Sequence, residues 1–280
     1  MNVRPDLGRF LLFVATAISA SSVLAIFGFL LWFALPVFRA DTLASLLSWH
    51  WQPFRGQFGI LPMLAGSLVL SFSAMLLAYP LALGICCFAH GSGPALATRP
   101  LLVVIRFMTS VPTVVYGLVS VFLLVPLVRE GFSGSGFSWL AASLTLSLLV
   151  IPTIVLLIDT RFRQAQAMIG VTAAALGVSA LQQLTRLTLP FSRSGLGIAA
   201  VLGFGRAIGD TLIPLMLAGN AARLPHSLFD PLRTLTSHIA LVVATDSQSL
   251  VYGSLFACGV MLFLISLGVN LALRGLRSHG

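Results

Sequence analysis

The chain has 280 residues, of which 58% are apolar and only 8% charged, with a mean hydropathy of +1.03. A soluble domain carries about 25% charged residues, so this composition excludes a water-soluble globular protein. The net charge of +9 comes from 16 arginines and no lysine. We interpret the distribution of these arginines as membrane topology and not as a nucleic-acid surface.

Six apolar segments are long enough to cross a bilayer as helices, which takes roughly 20 residues each. They are Phe10–Val37, Leu61–Ala89, Leu101–Val128, Phe137–Ile158, Gly195–Ala218 and Leu250–Leu273. Arginines are more frequent on the side of the amino terminus, for example Arg9, Arg99, Arg161, Arg163, Arg186, Arg193 and Arg274. By the positive-inside rule both termini are expected in the cytoplasm. The sequence therefore predicts an all-α, polytopic membrane protein with six transmembrane helices.

Prolines interrupt two of these spans at comparable depth. Pro112, in the stretch SVPTVVYG, removes a backbone donor inside the third span and predicts a kink there. Pro152 does the same in the fourth span. Paired broken helices point to a substrate pathway, although proline is common in membrane helices in general.

The longest inner loop, Asp159–Ser194, is too polar to span a membrane but is patterned as two short helices. The first is expected to end at Gly177, a typical helix terminator. The second begins with Ser179 and has a glutamine three residues later, which predicts a capping box, and Pro190 is expected to end it. Either an amphipathic helix at the membrane surface or a rigid surface for a partner protein would account for this pattern.

The stretch GRAIGD places Arg206 and Asp210 inside the fifth span. A charge near the bilayer centre costs at least ~2.5–3.5 kcal/mol and normally faces a cavity or the interior of a bundle. The two residues are four apart and could simply neutralise each other. The functional alternative is that the guanidinium binds a tetrahedral oxyanion through bidentate hydrogen bonds, while Asp210 competes for it. Gly205 and Gly209 would permit close helix approach or act as hinges.

No metal site is expected. The cysteines Cys86, Cys87 and Cys258 lie within predicted spans, where cysteine is usually a small packing residue. The histidines are scattered over different segments, so neither a ligand spacing nor a disulfide framework is visible.

Several stretches resemble a known family of membrane proteins. TAAALGVSALQQLTRLTLP, from Thr172 to Pro190, resembles the cytoplasmic coupling loop ("EAA" motif) of ABC importer permeases. We call Thr172–Pro190 the coupling segment. SGLGIAAVLGFGRAIGD is similar to the corresponding part of phosphate-specific Pst permeases, and WQPFRGQFGILP, VPTVVYG and SLFDP favour the PstC type over the PstA type. The glutamate usual at the start of the EAA motif aligns with Val171.

The resemblance implies a type I importer permease fold, with an N-terminal transmembrane helix and extracytoplasmic segment in residues 1–60 and a permease core in 61–280. It implies that the coupling loop 159–194 docks on an ATPase. The coupling residues would be Thr172, Ala173, Ala174, Ala175, Leu176, Gly177, Ser179, Leu189 and Pro190, and the substrate pathway would include Arg206, Asp210 and Thr211.

The implied partners are a second, PstA-type permease, two ATPase subunits and an extracytoplasmic phosphate-binding protein, in a bacterial inner membrane. No nucleic acid and no cofactor are expected. The chain has no lysine and no phosphate-binding glycine loop, so ATP must be bound by a partner and the chain itself is not an enzyme.

Other function classes remain open at this stage. The anion could be sulfate or molybdate, because one arginine cannot choose among tetrahedral oxyanions. A self-contained channel or ion-coupled carrier would need inverted repeats or coupling-ion residues at mid-membrane, and neither is visible. A membrane-embedded enzyme would need a catalytic cluster that the spans do not offer.

Overall fold

The computed structural model describes residues 5–35, 46–91, 93–132, 134–243 and 250–278. The helices are α1 (Pro5–Ala34), α2 (Leu61–His90), α3 (Ala95–Met108), α4 (Thr113–Gly131), α5 (Trp139–Ala175), α6 (Ala180–Phe191), α7 (Arg193–Gly209), α8 (Leu212–Leu217), α9 (Leu235–Val242) and α10 (Leu250–Ser278). A short antiparallel hairpin, β1 (Trp51–Gln52) and β2 (Gln57–Phe58), precedes α2. The predicted end of the first span, Val37, lies outside the described residues.

Five of these helices, α1, α2, α4, α5 and α10, are long and apolar enough to cross a membrane. The pair formed by α6 and α7 also meets this criterion, and its two halves are bent by 70° at the junction. The prediction of an all-α, polytopic protein is confirmed, with five spanning helices, or six if the bent pair is counted as one span.

The core lies where α2 packs along α5. One stripe of α2 has a buried residue at every fourth position, which keeps the stripe on a single face of the helix. It consists of Leu70, Ala74, Ala78, Ala82 and Cys86. Small side chains let two helix backbones approach closely, which is a main source of packing in a membrane. The facing side of α5 supplies larger buried residues, among them Leu146, Ile154 and Ile158.

Helix α1 lies at the edge of this arrangement. It packs on α10 through aromatic pairs: Phe27 with Phe263 at 4.2 Å between ring centroids, and Phe33 with Phe256 at 5.1 Å. Most of its other apolar side chains are exposed, which suits contact with lipid or with another transmembrane chain. The division of the chain at residue 60 stays a prediction.

The third span is not a single helix, contrary to the prediction for Leu101–Val128. The chain forms α3 and α4, with a break between Met108 and Thr113. Pro112 is extended (ψ 142°) and immediately precedes α4. Proline lacks an amide donor and disfavours helix in the residue before it, so the helix ends upstream. The Tyr116 hydroxyl donates to the Met108 carbonyl (3.0 Å) and thereby bridges the break.

The fourth span continues far beyond its predicted end at Ile158. The short helix predicted for the start of the inner loop is the second half of α5, which runs unbroken for 37 residues, or about 56 Å. Pro152 lies buried inside this helix without interrupting it. The helix can continue because Arg161, Arg163 and Gln164 are good helix formers and are exposed, and the buried Asp159 is paired with His90.

The second inner helix begins as predicted but does not end at Pro190. Ser179 and Gln182 form both hydrogen bonds of the capping box. A wide π-helical turn over Leu184–Thr188 follows, and Pro190 falls at the beginning of the next short helical turn, where its missing amide donor is tolerated. The helix therefore ends at Phe191, and Ser192 forms the elbow to α7.

The fifth span, predicted as Gly195–Ala218, is also divided. Helix α7 ends at Gly209, and the six-residue α8 begins at Leu212. Asp210 and Thr211 form the junction, and Asp210 is extended (ψ 133°). The consequence is that the charged pair of GRAIGD lies at a helix end and not in the middle of a helix.

Candidate functional site

A cavity of about 440 Å³ lies at the junction of α7 and α8. It is lined by Thr113, Leu149, Gly205, Arg206, Gly209, Asp210, Thr211 and Leu212. The three residues proposed from the sequence for a substrate pathway therefore face one cavity, together with both predicted hinge glycines. Helix α4 contributes its first residue, and α5 contributes a residue from its transmembrane half.

Arg206 and Asp210 line this cavity without contacting each other, because α7 ends between them. The Asp210 carbonyl accepts a hydrogen bond from the Thr236 hydroxyl on α9 (2.8 Å), which holds the chain outside the helix. The helical pair expected from the four-residue spacing does not form. Both ion pairs among the described residues involve Asp159, so Arg206 and Asp210 attract each other without forming a direct ion pair.

The Arg206 guanidinium is therefore available to a ligand, whereas the Asp210 carboxylate also interacts with the backbone amides of Leu212 and Ile213 at the start of α8. Arg206 is exposed to the cavity, and Asp210 is half-buried. One carboxylate oxygen of Asp210, Oδ2, is buried and has no hydrogen-bond partner among the described residues. A guanidinium offers five donors in a planar fork that matches a carboxylate or phosphate. The arrangement can bind an oxyanion at Arg206 while Asp210 opposes tight binding.

The walls of the cavity are positioned by close helix contacts. Gly117 on α4 faces α8, where an added Cβ would lie 2.6 Å from the Met216 sulfur. On the other side of α7, a Cβ at Gly205 would meet a methyl group of Val269 at 3.3 Å. Gly209 has open space around it. A role for Gly205 and Gly209 as hinges stays a prediction.

Sequence reasoning missed several lining residues. Thr113 follows Pro112 directly, so the proline signal could have indicated it. Leu149 and Leu212 carry no sequence signal, because an apolar residue within a span is equally consistent with the core or the lipid face. Thr236 was missed because its contact with Asp210 joins residues that are 26 positions apart.

The coupling segment includes an exposed turn that is closed by backbone hydrogen bonds. Gly177 adopts a left-handed conformation (φ +69°) and ends α5, and the Val178 amide donates to the Ala173 carbonyl (3.0 Å). Around this turn, Val171 is 83% exposed and Leu176 is 76% exposed. Large exposed apolar residues next to a well-capped turn are typical of a protein-binding surface.

The coupling segment is attached to the cavity by both of its flanking helices. Helix α5 ends at the exposed turn and carries Leu149 at the cavity, while α6 leads through Ser192 into α7, which carries Arg206. Within α6, Leu184 is buried and would be in contact with any side chain at Gly91, the residue after α2. Helix α6 therefore packs against the end of α2.

A buried polar cluster, also missed from sequence, joins α2 to α5 near the inner loop. Asp159 accepts hydrogen bonds from His90 Nε2 (2.7 Å) and Arg163 Nε (3.0 Å). The other ring nitrogen of His90, Nδ1, lies 3.0 Å from the Gln166 side-chain oxygen. The His90 ring packs edge-on against Phe162. We call His90, Asp159, Arg163 and Gln166 the inner clasp.

Residues 84–278 match a protein family described as "Binding-protein-dependent transport system inner membrane component". The phosphate transport system permease protein PstC of Pasteurella multocida is 30% identical over 240 residues, which cover 78% of this chain and 75% of that protein. PstC 2 of Mycobacterium tuberculosis is 29% identical over 99% of this chain and 94% of that protein.

A similar fold is found in a permease of known structure. A bacterial alginate ABC transporter, solved in complex with a periplasmic protein carrying an alginate pentasaccharide, contains a chain that superposes with a TM-score of 0.66. The superposition covers 97% of this chain and 95% of that chain at 14% sequence identity. At this identity the match concerns the fold alone.

Proposed function

The chain belongs to the family of binding-protein-dependent transport system inner membrane components, as a PstC-type ABC permease, and from this premise we propose how it moves phosphate. It is a non-catalytic, multi-pass subunit of the inner membrane, and the family works with an ATPase and a binding protein. We propose that the cavity at Arg206 is the point where the phosphate ion is held during passage.

One observation carries this proposal. Arg206, Asp210 and Thr211 face a single cavity, and Arg206 is not paired with a carboxylate among the described residues. An arginine that only balanced Asp210 would contact it directly. An arginine kept unpaired at a cavity between membrane helices is instead suited to a mobile anion. Thr211 adds a hydroxyl that can both donate to and accept from a phosphate oxygen.

Asp210 would make binding reversible. A transport site must bind well enough to admit the ion and weakly enough to release it. The Asp210 carboxylate repels a phosphate ion held at Arg206. When the ion leaves, this carboxylate can accept hydrogen bonds from the guanidinium in its place. A phosphate site with two arginines and no acid would bind more tightly and release more slowly.

Energy would reach this cavity from the coupling segment. We propose that an ATPase docks on the exposed turn around Leu176 and on α6, and that ATP is bound there by the partner. Movement of the segment is passed through α5 to Leu149 and through α7 to Arg206. The first route is one continuous helix, whereas the second passes through the 70° bend between α6 and α7. The full assembly would contain a second, PstA-type permease and two ATPase subunits.

Uptake by reconstituted complexes tests the role of Arg206. In Arg206→Gln the charge-assisted hydrogen bonds to the ion are lost, worth about 1.5–3 kcal/mol for a charged donor. We expect uptake of radiolabelled phosphate to fall roughly 10- to 100-fold, with assembly unchanged. Arg129→Gln is the matched control, because Arg129 is exposed at the end of α4 and does not line the cavity.

Uptake at the wild-type rate in Arg206→Gln would refute the proposal. Competition identifies the anion: unlabelled phosphate should inhibit uptake, whereas inhibition by sulfate or molybdate at equal concentration would assign the system to another oxyanion. In Asp210→Asn we expect more ATP hydrolysed per phosphate moved, while affinity at the binding protein stays unchanged.

A further inference from the structure

A second polar cavity, of about 460 Å³, lies at the elbow between α6 and α7. Its lining includes Arg161 and Gln164 from α5, Phe191 and Ser192 at the elbow, and Ser194 and Gly195 in the first turn of α7. No aspartate or glutamate is among the residues that line it, all of which lie in the described part of the chain. This end of α7 is roughly 20 Å from Arg206 along the helix.

Ser192 lines this cavity, and its hydroxyl is buried and unpaired among the described residues. The residue is 4% exposed, and its Oγ has no hydrogen-bond partner among the described residues. Its backbone is fully engaged, because its amide donates to the Thr188 carbonyl (3.0 Å) and its carbonyl accepts from the Leu196 amide (2.9 Å). A buried polar group left unpaired costs about 1–3 kcal/mol, so an unpaired hydroxyl at a cavity indicates a missing partner.

Arg161 supplies positive charge at the same cavity. Its Nη1 donates to the Gln164 side-chain oxygen (3.3 Å), and neither ion pair of the described residues includes it. The nearest acid on the same helix, Asp159, already accepts hydrogen bonds from His90 and Arg163 within the inner clasp. Gly195 allows this placement, because a Cβ there would lie 2.6 Å from Cγ of Arg161. The arginine stem therefore lies directly against the first turn of α7.

The start of α7 adds a third contribution. The helix has 17 residues and begins at Arg193, with no side chain capping its first turn. The free amides and the dipole of a helix N-terminus favour a negative group. Ser192, Arg161 and the first turn of α7 all line this cavity, and no carboxylate does. A hydroxyl, a guanidinium and helix N-terminal amides are together complementary to a phosphate oxyanion.

We propose that the elbow cavity binds a phosphate group, held by Ser192, Arg161 and the first amides of α7. The group could belong to inorganic phosphate or to the headgroup of an anionic phospholipid, since both present the same oxygens. The first source rests on the proposed transport function, and the second does not. An occupied site fixes the angle between α6 and α7, and so stiffens the connection between the coupling segment and Arg206.

Hydrogen exchange in the elbow tests this proposal. The complex is placed in phosphatidylcholine nanodiscs, and exchange of the peptide covering residues 186–198 is compared in inorganic phosphate and in chloride of equal ionic strength. A parallel sample contains phosphatidylglycerol and no inorganic phosphate. We expect slower exchange in at least one of the two, and the sample that shows it identifies the source of the phosphate group.

Matched variants assign the protection to the site. Ser192→Ala and Arg161→Gln should abolish it, while Thr188→Val should retain it. Thr188 is the control because its hydroxyl is also buried and unpaired but does not line the cavity. Arg206→Gln should retain the protection as well, so a failure of the transport proposal is distinguished from a failure of this one.

Two results would overturn the proposal: no protection in either sample, or protection that persists in both Ser192→Ala and Arg161→Gln. Loss of an unpaired hydroxyl should not harm folding, and thermal unfolding checks this for Ser192→Ala. If that variant does not fold, Arg161→Gln decides alone, since Arg161 is exposed and its replacement leaves the core intact.

Discussion

The inner clasp predicts a large stability difference between two neighbouring substitutions. Asp159 is 4% exposed and accepts hydrogen bonds from His90 and Arg163. In Asp159→Ala the buried His90 Nε2 loses its partner, and the polar end of α2 is no longer held against α5. In Arg163→Gln the pair of Asp159 and His90 remains in place.

The structure sets the expected magnitudes. A hydrogen bond to a charged group contributes about 1.5–3 kcal/mol, and breaking a buried pair costs about 3–5 kcal/mol. The Arg163 side chain is 56% exposed, so water replaces much of its interaction with Asp159. We therefore expect Asp159→Ala to destabilise the protein by about 2–4 kcal/mol, and Arg163→Gln by less than about 1 kcal/mol.

Thermal unfolding of the purified chain in detergent, followed by the helical circular dichroism signal, measures both changes. One kcal/mol corresponds to roughly 2–4 °C in melting temperature for domains of 150–250 residues. Equal shifts in the two variants, or a shift near zero in Asp159→Ala, would refute the reasoning, because the clasp would then carry no buried interaction of the stated size.

Two further predictions concern packing and pH. Gly203→Ala should destabilise the protein by about 1–3 kcal/mol, because its Cβ would lie 2.8 Å from Cγ1 of Ile154. The control is Gly84→Ala, whose Cβ would have nothing within 4 Å and which should cost no stability in the same unfolding assay. Equal losses in the two variants would contradict the contact. Burial, together with the charge of Arg233, lowers the pKa of His238 to about 3. The fold thus favours the neutral ring, and the stability from His238 is complete above about pH 6.5 and falls as the pH drops below it. Melting temperatures between about pH 7 and pH 5 should therefore fall less in His238→Gln than in the wild type, and identical profiles would refute this.

Features that depend on neighbouring residues are predicted reliably from the sequence. The apolar composition and long runs identify a polytopic membrane protein, because no soluble fold could cover such a surface. The capping box at Ser179 and the helix end at Gly177 are confirmed, because each depends on residues within one helical turn. Arg206 and Asp210 attract attention as charges in an apolar run, and the structure places both at one cavity.

The sequence alone therefore determined the class of protein, the family resemblance, the chemistry of the coupling segment and the residues worth testing. The tertiary structure decided where helices break or continue. Helix α7 ends at Gly209, and the Asp210 carbonyl there accepts from Thr236 on another helix. The sequence holds part of this outcome, because Pro214, four residues after Asp210, cannot donate to its carbonyl. Helix α5 continues past Ile158, and its buried Asp159 is paired with His90 from 69 residues away. The contacts of Thr236 and His90 join distant parts of the chain, and for that reason no local pattern contains them.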